Sequence, residues 1–353
     1  MTSLAPITDR ADWRGADIAS GDGWTYHLSA AEIADLRTMA AAVRPALNED
    51  PNALLKLDRD AFDLGRFAPR LAAIYDGLKS GHGLALIKGL PVPGEEIELI
   101  DLASIYWGIG RHLGMATPNN PEGDMLGHIT DLGKTQSDPN SRGYQTREAM
   151  DYHCDQCDIV GLICIRAAKE GGISKVASSV AMYNALLDRH PDYAEALTDT
   201  LYWTKHGEYG AGELPYYTSP VFNFFNGQLC TSFGPKHILK GHALPETPDI
   251  TELQMTAIRV AEELAHEQRC EMVLEPGDMQ FVNNYVTLHT RSDYVDFDDP
   301  AKKRLLWRLW LMNDDLRHRT AYAEQWSKGV DVGGGGGDGG GGDGGSGSAR
   351  IRL

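Results

Sequence analysis

Apolar residues along this chain change period several times, and the changes mark its elements. Residues 1–28 hold no sustained period, with Trp13, Trp24 and Tyr26 as packing anchors. Ile33, Leu36, Ala40 and Val43 then recur at helical spacing, with Ser29 and Glu32 forming a capping box ahead of them and Pro45 marking the expected end. A second helix fits 68–80, where Leu71, Ile74 and Leu78 point inward and Gly81 stops it. Residues 83–89 are a short apolar run between glycines and read as a buried strand. A helix follows over about 95–113, its acidic first turn suited to the helix dipole. A turn-rich stretch at 119–123 and a short strand at 126–131 come next.

Residues 134–150 are polar and irregular, a candidate lid. Strands are expected at 151–155, 159–166 and 176–180, with a Gly171-Gly172 turn, and helices at 181–189 and 193–198. Short apolar runs broken by Gly and Pro make 201–245 strand and loop. Thr251 and Gln254 cap a helix whose inner face carries Leu253, Ala257, Val260 and Leu264. Strands at 270–274, 279–283 and 304–312 complete the pattern, with Pro276-Gly277-Asp278 as a turn that gives Asp278 a structural part. The sum is a mainly β chain with flanking helices.

Length changes this picture little. At roughly 150 residues per domain, 353 residues suggest about two, but β-rich barrels run longer as one. We read residues 1–327 as a single domain. From Lys328 the glycine-rich stretch to Leu353 cannot bury enough apolar surface to offset its ordering entropy, so it is expected outside the fold as a disordered tail. The balance of 33 basic and 50 acidic residues gives a net charge of −17, which argues against binding nucleic acid or an anionic membrane. A local basic pocket for a small anion stays open, as does a homo-oligomer. Cys154, Cys157, Cys164, Cys230 and Cys270 form an odd set without a secreted framework and read as reduced thiols, hence cytoplasmic. No signal peptide or bilayer-length apolar run is visible.

The chemistry gathers around His153-Cys154-Asp155. A His and a carboxylate two apart on a strand share a face and can chelate one ion. His289, after Phe281-Val282-Asn283-Asn284, is the best third ligand. Two imidazoles and one carboxylate leave the opposite face of an octahedral ion open, the facial triad of non-haem Fe(II) oxygenases. Arg304 and Arg308 then sit inside an apolar strand, at a cost unless they meet an anion. Their even separation puts both on one face, each able to grip a carboxylate with two hydrogen bonds.

The order His-x-Asp, a distant His in Asn-Asn-x-x-x-x-His-x-Arg, then Arg-x-x-x-Arg-Leu-Trp-Leu resembles the TauD/TfdA family of Fe(II)- and 2-oxoglutarate-dependent dioxygenases over roughly residues 80–315. The resemblance implies a distorted double-stranded β-helix, a jelly roll of the clavaminate synthase kind. It implies His153, Asp155 and His289 as iron ligands and Arg304 as the residue that binds the distal carboxylate of 2-oxoglutarate. Arg308 matches a second arginine that faces an anionic substrate group in taurine-using members. Ser174 stands where the family often has a threonine touching 2-oxoglutarate. The implied reaction consumes O2 and oxidises a small, anionic organic molecule with release of succinate and CO2. Asp155 favours hydroxylation, or desaturation or ring closure, over halogenation, since the related halogenases lack that carboxylate.

Other residues carry competing readings. Cys154-x-x-Cys157 resembles half of a zinc site, but no second ligand pair stands at suitable spacing. Cys154 is expected to face away from the metal and Cys157 to lie near it. Tyr144, Gln145 and Asn284 are candidate substrate contacts, and Asn283 and Asn284 could instead hold a loop carrying His289. His112, His128, His206 and His237 read as ordinary histidines, and Trp307 and Trp310 as packing. Two alternatives remain: a zinc hydrolase using the same three ligands, against which the arginine pair argues, and a non-catalytic jelly-roll binding module, against which the complete triad argues.

Overall fold

The computed structural model describes residues 4–94, 97–135, 142–207, 209, 212–319, 321–325, 327–330, 332 and 348–353. A seven-stranded sheet runs in the order Thr25–His27, Leu84–Lys88, Met279–Asn283, Ile159–Arg166, Leu305–Met312, Met115–Thr117, with Gly127–Ile129 also paired to the 305–312 strand. A three-stranded antiparallel sheet, Cys270–Met272, Ser174–Ser178 and Thr287–Arg291, lies across from it. The two are the faces of the distorted double-stranded β-helix. Ser174 Oγ on the small sheet donates to Gln280 Oε1 on the large one at 2.8 Å, so polar side chains meet between the layers.

The central strand Leu305–Met312 is buried at every position. It is shared between two environments by simple alternation. Leu309 and Leu311 face the helix Leu99–Leu113, where a Cβ on Gly110 would come within 2.2 Å of Leu309. Glycine at that position is what lets the helix lie so close. Eleven of the helix's 15 residues are buried, as expected of a helix that is apolar nearly all round. The opposite face of the strand, Leu306 and Arg308, looks between the sheets.

Both capping boxes form, Ser29 with Glu32 and Thr251 with Gln254. The first helix, Ala30–Leu47, does not stop at Pro45. Proline in the final turn removes one hydrogen bond, and the burial of Leu47 holds that turn until Asn48 ends it in the left-handed region at φ 46°. In the helix Glu252–Glu267, Ala257 and Leu264 are buried but Leu253 is exposed. Asp278 is a turn residue as expected, accepting from the Glu275 amide at 3.0 Å and pairing with Lys88.

Three expectations need correction. The 151–155 strand shrinks to one bridge, His153 with His289. Residues 201–245 contain a helix, Pro235–His242, that the Gly and Pro content concealed. Pro235 is a start signal there, at the first helical position, and Gly241 lets the helix lie against the Tyr202 carbonyl, 2.3 Å from where a Cβ would stand. The expected tail past Lys328 lies mostly outside the described residues, but among those described Val330 is buried and the chain's end docks. Arg350 bridges Asp124 through the backbone, its side chain meets the buried Asp124 carboxylate at 2.6 Å, and Ile351 is buried. Burial works against that carboxylate, but Arg350, Asn120 and Arg352 hold its pKa below the ordinary range. His128 joins the contact, with Nε2 3.0 Å from the Arg352 carbonyl. Local periodicity cannot reveal such a contact, because four residues after a glycine run have no period.

Docking of the chain's end predicts a stability effect. Ile351→Ala should cost about 2 kcal/mol, seen as a lower urea midpoint with an unchanged slope. An unchanged midpoint would mean that the last four residues do not hold to the fold in solution.

Candidate metal centre

His153 and His289 face each other as an antiparallel pair that exchanges both backbone hydrogen bonds, at 3.1 and 3.0 Å. Directly opposed residues put their side chains on the same face. The two imidazoles accordingly lie with ring centroids 4.4 Å apart. Asp155 completes the group: its Oδ1 is 4.0 Å from His153 Nε2 and its Oδ2 is 3.7 Å from His289 Nε2. One ligand atom from each of the three residues lies within 4.8 Å of the others, a spacing that one ion can bridge.

The surroundings fix each ligand. His153 Nδ1 lies 2.8 Å from the Asp151 carbonyl, which makes Nδ1 the protonated nitrogen and leaves Nε2 for a metal. Burial, then the neighbouring His289, pushes the His153 imidazole toward the neutral form that a metal requires. Asp155 receives Arg308 Nη1 at 3.1 Å and Trp310 Nε1 at 2.9 Å. Burial opposes its ionisation, but Arg308 and the two histidines outweigh it and hold the carboxyl well below its usual range. The donor set is therefore two imidazoles and one carboxylate, which fits a divalent iron.

Asn284, expected as a candidate substrate contact, is not among the residues that line either cavity at the triad. It is buried, and its amide donates to the carbonyls of Asp155 at 2.8 Å and Cys157 at 2.7 Å, while its oxygen accepts from the Asp155 amide at 3.3 Å. It clamps the loop that carries Asp155, whereas His289 sits on a strand and needs no such clamp. Gln145 also turns away, folding back to accept from the Arg142 amide at 3.2 Å. The two cysteines exchange expected places: Cys154 contributes to the wall beside the triad, and Cys157 is tied into the Asn284 clamp instead.

Two chambers meet at the triad. The inner one, about 550 Å³ counting its mouth, lies between the sheets. Ser174, Gln280, Arg291 and Arg304 line it. The expected pair Arg304 and Arg308 does share this space, but Arg291 is a third cation that sequence reasoning left without a role. It was visible as the arginine of His-x-Arg, two residues beyond His289 and so on the same strand. All three arginines are only 6% exposed. Nη1 of Arg291 and Nη1 of Arg304 are buried without a hydrogen-bond partner among the described residues. Burial, then the charge of Arg304, pushes Arg291 down to about 10, and burial lowers Arg304 likewise. Two buried, incompletely bonded guanidinium groups are a site built for an anion. Arg308 differs, being committed to Asp155 and, through Nε, to Asn119 at 3.0 Å.

The outer chamber, about 820 Å³ counting its mouth, opens on the other side of Tyr144, Met150 and Arg308. Tyr144 lines both spaces, its ring 5.2 Å from the Arg308 guanidinium carbon. His206 and His237, read as ordinary from the sequence, are in this wall. Trp310, read as packing, holds the metal carboxylate.

Comparison with known proteins agrees with this geometry. The family model for taurine catabolism dioxygenase TauD, TfdA family, matches residues 43–310. FR-33289 synthase of Streptomyces rubellomurinus (strain ATCC 31215) is 33% identical over 311 residues, 87% of this chain and 90% of that protein. The taurine hydroxylase-like protein SAT17 of Stachybotrys chartarum (strain CBS 109288 / IBT 7711) is 26% identical over 327 residues, 89% of this chain and 81% of that protein. Among solved structures, asparagine oxygenase in complex with Fe(II), 2S,3S-3-hydroxyasparagine and succinate superposes with a TM-score of 0.65 at 18% identity, covering 82% of this chain and 93% of that one. The non-heme iron oxygenase OrfP in complex with Fe and alpha-ketoglutaric acid superposes with a TM-score of 0.60 at 15% identity, covering 87% and 99%. With the family model spanning most of the chain and the triad assembled from its own sequence, this protein belongs to the TauD/TfdA family and is an Fe(II)- and 2-oxoglutarate-dependent dioxygenase.

Proposed function

We propose that the two chambers divide the reaction, with 2-oxoglutarate in the inner one and a small organic substrate in the outer one. The observation that carries this reading is the pair of buried, incompletely bonded guanidinium groups of Arg291 and Arg304 in the chamber that also holds the triad. His153, Asp155 and His289 would hold Fe(II), which when bound supplies the redox chemistry that couples O2 to oxidative decarboxylation of 2-oxoglutarate and to substrate oxidation. Arg304, with Arg291 beside it, receives the distal carboxylate. Ser174 and Gln280, already bonded to each other, offer further polar contacts along the same wall. Leu162, Leu274 and Leu306 make the rest of that space apolar, which excludes water from the site.

Arg308 and Trp310 orient the Asp155 carboxylate rather than waiting empty for a substrate anion. Tyr144 and Met150, common to both chambers, place the substrate against the metal. Hydroxylation is the proposed outcome, since Asp155 supplies the carboxylate that the related halogenases lack. Five free thiols support a reducing, cytoplasmic setting, and among the described residues no helix is long and apolar enough to cross a membrane.

Anaerobic addition of Fe(II) and then 2-oxoglutarate should raise a weak visible charge-transfer band, absent in His153→Ala. Folded, metal-loaded protein without the band would sink the assignment of the triad. Arg304→Ala should raise the 2-oxoglutarate concentration for half-saturation of that band by about 100-fold, with a smaller rise for Arg291→Ala. A change seen only in Arg308→Ala would reverse the roles of the two strand arginines. Asn284→Ala should weaken iron binding by about 10–100-fold, as loss of a supporting contact does. Unchanged iron affinity with a raised substrate KM would return Asn284 to the substrate pocket.

A further inference from the structure

Arg291 stands between two spaces. It lines the inner chamber beside Arg304. With Met150 and Thr290 it also lines an open groove whose other wall is the helix Glu252–Glu267. The guanidinium divides its donors. Nη2 donates to the carbonyl of Thr146 at 3.0 Å and to that of Glu148, and Nε donates to the Ser292 carbonyl at 3.1 Å. Nη1 is buried without a hydrogen-bond partner among the described residues. The fork is planar and rigid, so whatever Nη1 binds also fixes where Nη2 points.

The carbonyls held by Nη2 belong to a segment that shapes both chambers. Thr146 is buried and closes the turn Gly143–Gln145, its amide donating to the Gly143 carbonyl at 3.2 Å. That turn presents Tyr144, and the segment then runs on to Met150; both side chains line the inner and the outer chamber. Other bonds hold the segment to the strand Thr287–Arg291 and the residues after it. The Met150 amide donates to the Arg291 carbonyl at 3.1 Å, Thr290 Oγ1 donates to the Met150 carbonyl at 2.6 Å, and the Tyr294 amide donates to the Arg147 carbonyl at 3.1 Å. The Arg291 fork adds the two carbonyls on either side of Arg147.

A buried N–H without a partner is costly, and Arg291 has an alternative. Because it also borders the open groove, its long side chain can swing the charge toward water there, giving up the Thr146 and Glu148 bonds. An anion on Nη1 removes the reason to swing. A ligand shifts such an equilibrium by its preference for one state, and here the preference is the ion pair made at Nη1. We infer that Arg291 is a positioning residue that couples cosubstrate occupancy to the wall of the substrate chamber. With the distal carboxylate on Nη1, Nη2 holds the Thr146 and Glu148 carbonyls and so sets the turn that presents Tyr144. The inference rests on the reading of the inner chamber proposed above.

The test follows amide hydrogen exchange of the peptide spanning residues 143–149. It uses the full chain loaded anaerobically with Fe(II), without 2-oxoglutarate and with it at saturation as judged by calorimetry. Exchange in the unaltered protein should slow about tenfold when the cosubstrate is added. Arg291→Gln should leave little of that slowing. Arg291→Lys keeps a charge for the carboxylate but has a single nitrogen, so it should bind the cosubstrate within about tenfold of the unaltered protein and still lose the slowing. Should the glutamine variant not fold, the lysine variant decides alone. An arginine with only a structural part would speed exchange alike with and without cosubstrate, and that result overturns the inference. So does exchange indifferent to bound 2-oxoglutarate in the unaltered protein, or slowing retained in both variants. The charge-transfer band, read on the same samples, separates the two readings. A normal band without Arg291-dependent slowing removes the coupling and leaves the chambers as proposed. Arg291-dependent slowing without a band keeps the coupling and removes the metal assignment.

Discussion

A charge taken out of water must find a partner, and this fold buries three guanidinium groups within one cavity system. Arg308 meets that demand inside the chain, with Asp155 on one side and Asn119 on the other. Arg291 and Arg304 meet it only in part, each keeping one buried nitrogen without a partner among the described residues. Removing one member of a buried pair costs about 3–5 kcal/mol, so the arrangement is tolerable only if something else regularly completes it. In the reading proposed above, the dicarboxylate 2-oxoglutarate does so for Arg291 and Arg304. A divalent ion held there would favour the same ionised form of Asp155 that Arg308 already favours. The metal, the cosubstrate and the cations are thus terms of one electrostatic balance.

The sheets exist to make that balance geometrically possible. Opposed pairing of His153 with His289 brings together two ligands far apart in sequence, and it needs only two backbone hydrogen bonds to do so. Alternation along Leu305–Met312 sends Leu309 and Leu311 to the helix side and Arg308 and Trp310 to the metal side. Asn284, at the end of the strand Met279–Asn283, then reaches across to fix the loop where Asp155 leaves regular structure. His289 sits on a strand, while His153 and Asp155 share one irregular stretch that is fixed at His153 by its bridge to His289 and at Asp155 by Asn284.

This division explains what could be read from the sequence. Elements with a local signal were legible: the capped helices, the strand Ile159–Arg166, and the apolar strand with its two arginines. The three ligands were legible because spacing and residue type constrain metal chemistry. Contacts that depend on distant pairing were not. Arg291 stood in plain view, but its burial against Arg304 follows from the small sheet lying over the large one. Asn284 and Trp310 take their parts from which loop or carboxylate happens to lie opposite. The basic helix Pro235–His242 was hidden because proline and glycine were read as breaks, when one begins the helix and the other lets it pack.

The chain's last residues extend the same logic to the edge of the molecule. The Arg350 carbonyl accepts from the Met125 amide at 2.8 Å, and the Met125 carbonyl in turn accepts from Asn119 Nδ2 at 3.2 Å. Asn119 Oδ1 accepts from Arg308, and Arg308 donates to Asp155. Four hydrogen-bonded steps therefore lead from a surface-docked end to the metal carboxylate, all through buried groups on one side of the large sheet. Hydrogen bonds in a low-dielectric interior reinforce one another, so the partner of Arg308 is only as well placed as the loop Asn119–Met125 that presents it. That loop is held from outside by Arg350 on the Asp124 carboxylate. The orientation of the iron-binding carboxylate is for this reason a property of the whole chain, including residues beyond a glycine run that on composition alone belong to no fold.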